Sequence, residues 1–455
     1  MDAVFAVPRA APPPGPSSDA LSPPRGGLTR SIHPHRIMMP RFPGSPVTIA
    51  TSSLPPFADT DRITVMDILR GVALFGILLM NIEAFSGPLD LSFTGIDPHW
   101  QGLDYAADAL VYVLVQGKFF LLFSFLFGAG FAVMARRADQ AGRAFTPIYL
   151  RRSLVLVLIG ACHALLVWSG DILMVYGLLS FLLLGTRRWP LPVLPVAGVL
   201  VYAFAVGLTL LFALLVWAAA QGGTALDSAG SLRMAQDIIE AQRQAYGHGT
   251  WMQGTLQRLA DVRHMVGGIL ITGPEIFGMF LLGAWFARSG ALSDPQAHAL
   301  LYARLRWIAM PVGLLLMVIS AVWNPYLAPG EFTVQTGLSY ALAAVASLLM
   351  ALGYLAWIVH VRQALAWLAA PGRMALTHYL LQSLLCTWVF YAPGMGFFEQ
   401  MPRAWQLPFA SAVFAAQVVI SHAWLAHFRH GPMEWLWRAL TYLRLPPMRR
   451  TVAAR

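Results

Sequence analysis

Long runs of apolar residues recur along the chain from about residue 64 to residue 428. Each run approaches the roughly 20 residues that a helix needs to cross a bilayer core about 30 Å thick. The runs are continuous, whereas the strands of a membrane barrel alternate apolar and polar positions. The pattern predicts an all-α membrane protein, a polytopic bundle of about ten transmembrane helices at 64–84, 106–135, 151–168, 172–186, 191–219, 264–287, 306–323, 335–361, 373–391 and 408–428.

Both ends of the chain differ from this pattern. Residues 1–57 are rich in proline and have no helical apolar period, which predicts a disordered N-terminal tail. The transmembrane domain is expected over 62–428. In the remainder, 429–455, Glu434 and Arg438 are four residues apart beside two tryptophans, which predicts a helix at the cytoplasmic interface followed by a short tail.

The composition and the placement of charge agree with a membrane location. Of the residues, 57% are hydrophobic and 11% are charged, whereas soluble domains carry about 25% charged residues. Alternate helix ends carry twelve arginines on one side and five on the other, so the positive-inside rule places both termini in the cytoplasm. The net charge of +10 is thereby explained by topology in an inner membrane. The lipid bilayer is the expected partner, and nucleic acid is not.

Polar side chains inside the predicted spans are candidate functional residues, because charge in a bilayer is costly. In the first span Asp67 and Arg70 are three residues apart and share a helix face. Asn81 falls on the same face about four turns later. This stripe is a candidate polar path with Asp67 in a catalytic role and Arg70 and Asn81 binding substrate. The alternative is an Asp–Arg pair that locks the helix into the bundle.

The second predicted span is interrupted at Gln116, Gly117 and Lys118. Lys118 is a candidate for binding an anionic group such as a phosphate, although the surrounding sequence lacks the full phosphate-binding loop pattern. The alternative is a lysine that extends its ammonium group to the membrane interface.

Further along the chain, Glu275 follows a proline in the sixth span and is a candidate catalytic residue. Asp171, in the turn between the third and fourth spans, is a candidate substrate ligand or a helix cap. The third span contains His163, and the ninth contains His378 with Gln382 four residues later. All three side chains add hydrogen-bonding groups inside the bundle. These groups either bind substrate or join helices.

Among the segments predicted outside the bilayer, the run from Asp97 to Asp104 contains His99, which titrates near neutral pH beside acidic residues. His99 is the candidate general base, and the alternative is an exposed loop histidine. The sequence contains no zinc-protease signature, no serine nucleophile motif and no cysteine pair with metal-ligand spacing. We therefore expect no metal.

Several motifs resemble the YeiB-like family of bacterial membrane proteins, whose function is poorly defined. The resemblance covers about 62–445, and the family usually has asparagine where this chain has His378. The motifs that carry it are Arg62–Asn81, Gly117–Phe119, Leu126–Gly130, His163, Gly170–Leu173, Glu275–Met279, Gly372–Ser383 and Gly431–Arg438.

That family is in turn similar to transmembrane acyltransferases, which include the lysosomal heparan glucosaminide acetyltransferase and the acyltransferase-three proteins. The shared pattern is matched by Asp67, Arg70 and Gly71. The segment from Trp100 to Leu103, followed by Asp108, resembles the lysosomal enzyme after its active-site histidine, although His99 lies closer to the tryptophan. The resemblance implies a cytoplasmic thioester donor and an acceptor, commonly a sugar, on the other side.

The leading hypothesis is acyl transfer to a small-molecule acceptor. An acyl-CoA co-substrate, with no permanently bound cofactor, would engage Arg70, Lys118 and Arg151 or Arg152, and His99 or Glu275 would remove the acceptor proton. A transporter that uses Asp67, Glu275 and Lys118 is the rival hypothesis. A non-catalytic scaffold is the third, and it leaves the intramembrane charges unexplained. The sequence does not specify an oligomeric state.

Overall fold

The computed structural model describes residues 64–221 and 228–450. The predicted tail at 1–57 and the last five residues lie outside the described residues. The described residues form helices and no strand, and the helix bounds are α1 Thr64–Ser86, α2 Gly102–Leu114, α3 Lys118–Gln140, α4 Phe145–Leu166, α5 Leu173–Gly185, α6 Val193–Gln221, α7 Ser228–Gln242, α8 Trp251–Arg288, α9 Ala299–Arg304, α10 Met310–Trp323, α11 Val334–His360, α12 Ala369–Arg373, α13 Ala375–Phe390, α14 Arg403–His427 and α15 Pro432–Tyr442.

Eight helical segments of the described chain are long and apolar enough to cross a bilayer. In this count α2 and α3 form one segment, and α9 and α10 form another. The shorter helices α5 and α13 are also apolar, so ten apolar segments correspond to the ten predicted from the sequence. The prediction of an all-α polytopic membrane protein is confirmed.

Helix α1 lies at the centre of the bundle. Fifteen of its 23 residues are buried, and it packs against α3, α12, α13 and α14. Helix α6 is peripheral, because only six of its 29 residues are buried and its outward face carries leucines such as Leu200 and Leu214. An exposed apolar face of this kind suits contact with lipid.

The fold differs from the sequence expectation at α7, which lies between two predicted spans and was not predicted, and at two other places. The second predicted span is two helices, α2 and α3, and Gly117 between them has a left-handed φ of +83°. Helix α8 begins at Trp251, thirteen residues before the predicted start. Its start is fixed by a capping box in which Thr250 Oγ1 accepts from the Gln253 N–H and the Gln253 side chain accepts from the Thr250 N–H.

Candidate functional site

A cavity of about 220 Å³ lies within the bundle, between α1, α3, α4, α5, α12, α13 and α15. It is larger than the 150 Å³ apolar cavity that holds a benzene molecule. We call it the arginine cavity, because four arginines are among its lining residues, Arg70, Arg152, Arg373 and Arg438. The rest of its wall is mostly apolar and aromatic, with Leu74, Ile77, Phe123, Leu126, Phe127, Phe131, Leu156, Ile172, Leu173, Tyr176 and Tyr379 among the lining residues.

The close packing of α1 on α12 brings Arg70 and Arg373 to the same cavity. A Cβ atom added to Gly372 would lie 1.8 Å from the backbone oxygen of Asp67, so only glycine permits this approach. Arg70 Nη1 donates to Asp67 Oδ1 at 3.0 Å, and Asp67 is buried behind it. The two side chains that the sequence places on one helix face are therefore in contact, and of the two only Arg70 lines the cavity.

The one carboxylate among the lining residues, Glu434, is engaged at the start of α13. It accepts hydrogen bonds from the backbone N–H groups of Leu376 and Thr377 at 2.7 and 3.1 Å and from Thr377 Oγ1 at 2.6 Å. Burial raises the pKa of the Glu434 carboxyl above its ordinary value, while the hydrogen bonds from Thr377 act in the opposite direction. Glu434 thus caps α13 from α15, a role that sequence reasoning missed.

Helix α15 closes one side of the arginine cavity through a second contact. The guanidinium carbon of Arg152 lies 3.6 Å from the centre of a Trp437 ring. Trp437 Nε1 also donates to the backbone oxygen of Arg152 at 3.0 Å. Arginine stacked on tryptophan is a favourable cation–π pair. These contacts attach α15 to α4 and keep Arg152 at the cavity wall.

A buried His–Asp pair lies next to the aromatic part of this wall. His163 Nδ1 and Asp171 Oδ1 are 2.8 Å apart, and both side chains are almost fully buried. Asp171 Oδ2 also accepts from the Met174 N–H at 2.7 Å, at the start of α5. The His163 ring lies 5.3 Å from the ring of Tyr379, which lines the cavity. Both residues were candidates from the sequence, but their pairing was not predicted.

Lys118 lies at the break between α2 and α3 and does not line the arginine cavity. Its side chain is fully buried, and Nζ donates to the backbone oxygen of Tyr112 at 2.7 Å. Carbonyl groups in the last turn of a helix lack partners within the helix and carry partial negative charge. Lys118 therefore caps the end of α2, and its ammonium group is buried within the protein.

Asn81 and Gln382 are also outside the cavity lining. Asn81 is buried about one turn beyond Ile77, and the face of α1 between Arg70 and Asn81 is apolar at Leu74 and Ile77. Gln382 Nε2 donates to Gln417 Oε1 at 2.9 Å. That hydrogen bond joins α13 to α14.

The two candidate bases from the sequence occupy other regions. The His99 side chain is 85% exposed, and its Nδ1 lies 2.7 Å from Asp97 Oδ1. Glu275 is partly buried in α8 and is not one of the residues that line the arginine cavity. Neither residue is brought next to the four arginines.

An ion network links α1, α2 and α14 at the end of the bundle near His99. Arg403 is fully buried, with Nε 2.9 Å from Asp108 Oδ1 and Nη2 3.2 Å from Glu83 Oε2. Asp108 Oδ2 accepts from the Asp97 N–H at 2.8 Å. Each carboxylate has a nearby donor, so the network joins the three helices.

Within the described ranges, no cluster of three or more histidine, cysteine or acidic side chains has the geometry to hold a metal ion.

Known proteins resemble this chain over nearly its whole length. The uncharacterised protein YxaH of Bacillus subtilis (strain 168) is 37% identical over 415 residues, which is 87% of this chain and 98% of that protein. The uncharacterised protein YeiB of Escherichia coli (strain K12) is 33% identical over 399 residues, which is 84% of this chain and 96% of that protein. This chain belongs to the YeiB-like family.

A family model described as a protein of unknown function, DUF418, matches residues 286–444. This part of the YeiB-like chain includes Arg373, Tyr379, Glu434 and Arg438 among the residues that it supplies to the arginine cavity, and helices α1, α3, α4 and α5 supply the others, with Ile172 just before α5. The donor ligands predicted from the sequence are Arg70, Lys118 and Arg151 or Arg152, and they do not include Arg373 or Arg438. A signal was present, because the two most specific late motifs, Gly372–Ser383 and Gly431–Arg438, contain these missed residues.

Proposed function

We propose that this YeiB-like protein is a transmembrane acyltransferase that takes an acyl group from a CoA-type thioester. The observation that carries the proposal is the arginine cavity, which combines four guanidinium groups with an apolar and aromatic wall. A CoA-type donor has the matching chemistry, since its phosphates are multiply anionic and its acyl end is apolar. Arginine suits such a donor because its planar fork binds phosphate oxygens in pairs and stays charged.

The balance of charge supports an anionic ligand. The cavity lining contains four guanidinium groups and one carboxylate, that of Glu434. Three donors of α13 already engage this carboxylate. Asp67, which does not line the cavity, forms a salt bridge with Arg70 at 3.0 Å. A ligand with several negative charges would therefore be attracted to this part of the protein.

The position of the arginines supports donor entry from the cytoplasm. Arg70 lies in the second turn of α1, Arg152 at the beginning of the third turn of α4, and Arg438 in α15. These helix ends belong to the side with more arginines, which the positive-inside rule assigns to the cytoplasm. An acyl group bound in the apolar part of the cavity would then face the interior of the bundle, and the acceptor would approach from the opposite side.

One observation keeps a transporter as the second candidate. The α2–α3 segment is discontinuous, with Lys118 fully buried at the break, and broken helices often form the substrate sites of transporters. Lys118 and Glu275 would then be the substrate or proton sites. A transporter would move an intact anion and leave its thioester bond unbroken.

The proposal is tested in proteoliposomes that hold the full chain. Acetyl-CoA is supplied on the arginine-rich side, and glucosamine, which offers hydroxyl and amine acceptors, on the other. We expect release of the CoA thiol and transfer of the acetyl group, with Arg438→Gln raising KM at least about tenfold because a charge-assisted hydrogen bond contributes about 1.5–3 kcal/mol. The matched control is Arg444→Gln, an arginine outside the cavity lining. Proton flux with the thioester intact would favour transport instead.

A further inference from the structure

One face of α4 leads from the arginine cavity to the buried His–Asp pair. Arg152 and Leu156 line the cavity, and Gly160 and His163 follow on the same face at helical spacing. Arg152 and His163 are eleven residues apart, about 16 Å along the axis at 1.5 Å per residue. The cavity and His163 are therefore successive positions along one helix.

Gly160 allows α5 to begin close to this face. A Cβ atom at this position would lie 2.3 Å from the Met174 nitrogen and 2.8 Å from Asp171 Oδ2. Because glycine has no Cβ, the start of α5 and Asp171 pack directly on α4. Ile172 and Leu173, the two residues after Asp171, line the cavity. Asp171 is thus adjacent in sequence to Ile172, a lining residue. The His163 ring contacts the ring of Tyr379, a lining residue of α13.

The hydrogen bond between the two side chains sets the roles of the imidazole nitrogens. An ionised carboxylate only accepts, so a hydrogen bond to Asp171 Oδ1 requires that His163 Nδ1 carries the proton. Nε2 then holds the free lone pair. Nε2 is buried and has no hydrogen-bond partner among the described residues. A buried polar atom without a partner calls for an explanation such as a ligand, a water molecule or a catalytic role.

We infer that His163 is the proton acceptor of the transfer reaction and that Asp171 is its positioning residue. This inference rests on the proposed function and replaces His99 and Glu275, which do not adjoin the cavity. The arm between the diphosphate and the sulfur of a CoA-type donor extends to about 14 Å, counted as four residue-lengths of about 3.5 Å. This length is within about 2 Å of the axial distance from Arg152 to His163, so a donor whose phosphates contact the extended Arg152 side chain would place its thioester near the level of His163.

In the proposed step, Nε2 of His163 takes the proton of the acceptor hydroxyl or amine while the acceptor oxygen or nitrogen attacks the thioester carbonyl. The bond from the carbonyl carbon to the acceptor forms, and the bond from that carbon to sulfur breaks. The departing thiolate takes the proton from the imidazolium, which returns the histidine to its neutral form. Asp171 holds the ring orientation and stabilises the transient positive charge, as in other histidine–carboxylate pairs.

A matched pair of histidines tests the assignment. His378 is also buried, but its Nε2 contacts Ser421 Oγ at 2.6 Å, and within 64–221 and 228–450 it forms no salt bridge with a carboxylate. We expect His163→Gln and Asp171→Asn each to lower kcat for thiol release from acetyl-CoA at least about 100-fold, the usual range for general base catalysis. KM and donor affinity should remain within about twofold. His378→Asn should leave kcat unchanged.

Donor affinity, measured in parallel, reports whether each variant is folded, and Asp171→Asn provides a second variant that keeps a side chain of the same size. Added imidazole should restore part of the rate to His163→Ala and none to Asp171→Asn. Thiol release by His163→Gln within about threefold of the unchanged chain would overturn the inference and leave the proposed function standing. Absence of acetyl-CoA binding to the unchanged chain would overturn the proposed function and the inference together.

Discussion

The guanidinium carbon of Arg152 lies 3.6 Å from a ring of Trp437, and Trp437 Nε1 donates to the backbone oxygen of the same arginine. One tryptophan of α15 thus contacts both the charged group and the backbone of a single residue on α4. The contact makes α15 part of the cavity wall. A change at Trp437 should therefore alter how strongly α15 packs against α4, and this can be measured.

Trp437→Ala is expected to weaken the docking of α15. The change removes a partly buried cation–π contact and a hydrogen bond, each of about 1 kcal/mol. Limited proteolysis of the detergent-solubilised protein should therefore cut faster between α14 and α15. Trp405, which is 68% exposed, supplies the control: Trp405→Ala should not change the cleavage rate. Equal cleavage of the Trp437 variant and the unchanged chain would contradict the assigned contact.

Glu434→Gln is expected to change how stability depends on pH. Burial raises the pKa of the Glu434 carboxyl above its unfolded value, so its contribution to stability is full below about pH 4.3, the ordinary pKa of glutamate, and is lost as the pH rises through the folded pKa. Glutamine does not titrate. The unfolding temperature of the unchanged chain should therefore fall relative to that of Glu434→Gln as the pH rises from about 4 to 8. A difference that grows in the opposite direction would show that hydrogen bonds to the carboxylate outweigh burial.

Arg403→Ala is expected to be among the most destabilising single changes. It would leave Asp108 and Glu83 without the guanidinium group that now lies within 2.9 and 3.2 Å of them. Removing one partner of a buried ion pair typically costs about 3–5 kcal/mol. Thermal unfolding in nanodiscs should show a large decrease, and the double variant Arg403→Met with Asp108→Asn should recover part of it. A decrease no larger than that of Arg444→Ala would argue against the network.

Lys118→Met tests the structural role of a residue that the sequence suggested as an anion ligand. Since Lys118 caps α2 and does not line the arginine cavity, donor affinity should remain within about twofold of the unchanged chain. The change removes the hydrogen bond to the backbone oxygen of Tyr112 and leaves that buried acceptor without this donor, which costs about 1–3 kcal/mol, so the unfolding temperature should fall. A donor affinity at least tenfold weaker would return Lys118 to the binding site.

The hydrophobic pattern predicts most of the fold because each bilayer-crossing helix needs a long apolar run. The bounds of α1, α6 and α11 are within two residues of prediction for this reason. Helix α7 and the first third of α8 were missed, since their sequences are polar and their helical signals are local, as in the capping box of Thr250 and Gln253.

The candidate site was only partly predictable, because it depends on which helices pack together. Arg70 and Arg152 stand out in the sequence as charges in apolar runs. Their convergence with Arg373 and Arg438 depends on the packing of α12 and α15 against α1 and α4, which no local pattern encodes. His163 and Asp171 were each visible as polar residues. Their pairing across eight positions depends on where α4 ends and α5 begins.

The donor site is tested most directly by a calorimetric titration of acetyl-CoA and palmitoyl-CoA into the full chain in lipid nanodiscs. We expect saturable binding of at least one donor, an affinity weakened about tenfold or more by Arg70→Ala and by Arg438→Gln, and an unchanged affinity for Arg444→Gln. Failure of both donors to bind, or equal binding by all three variants, would contradict the assignment of the arginine cavity as the donor site.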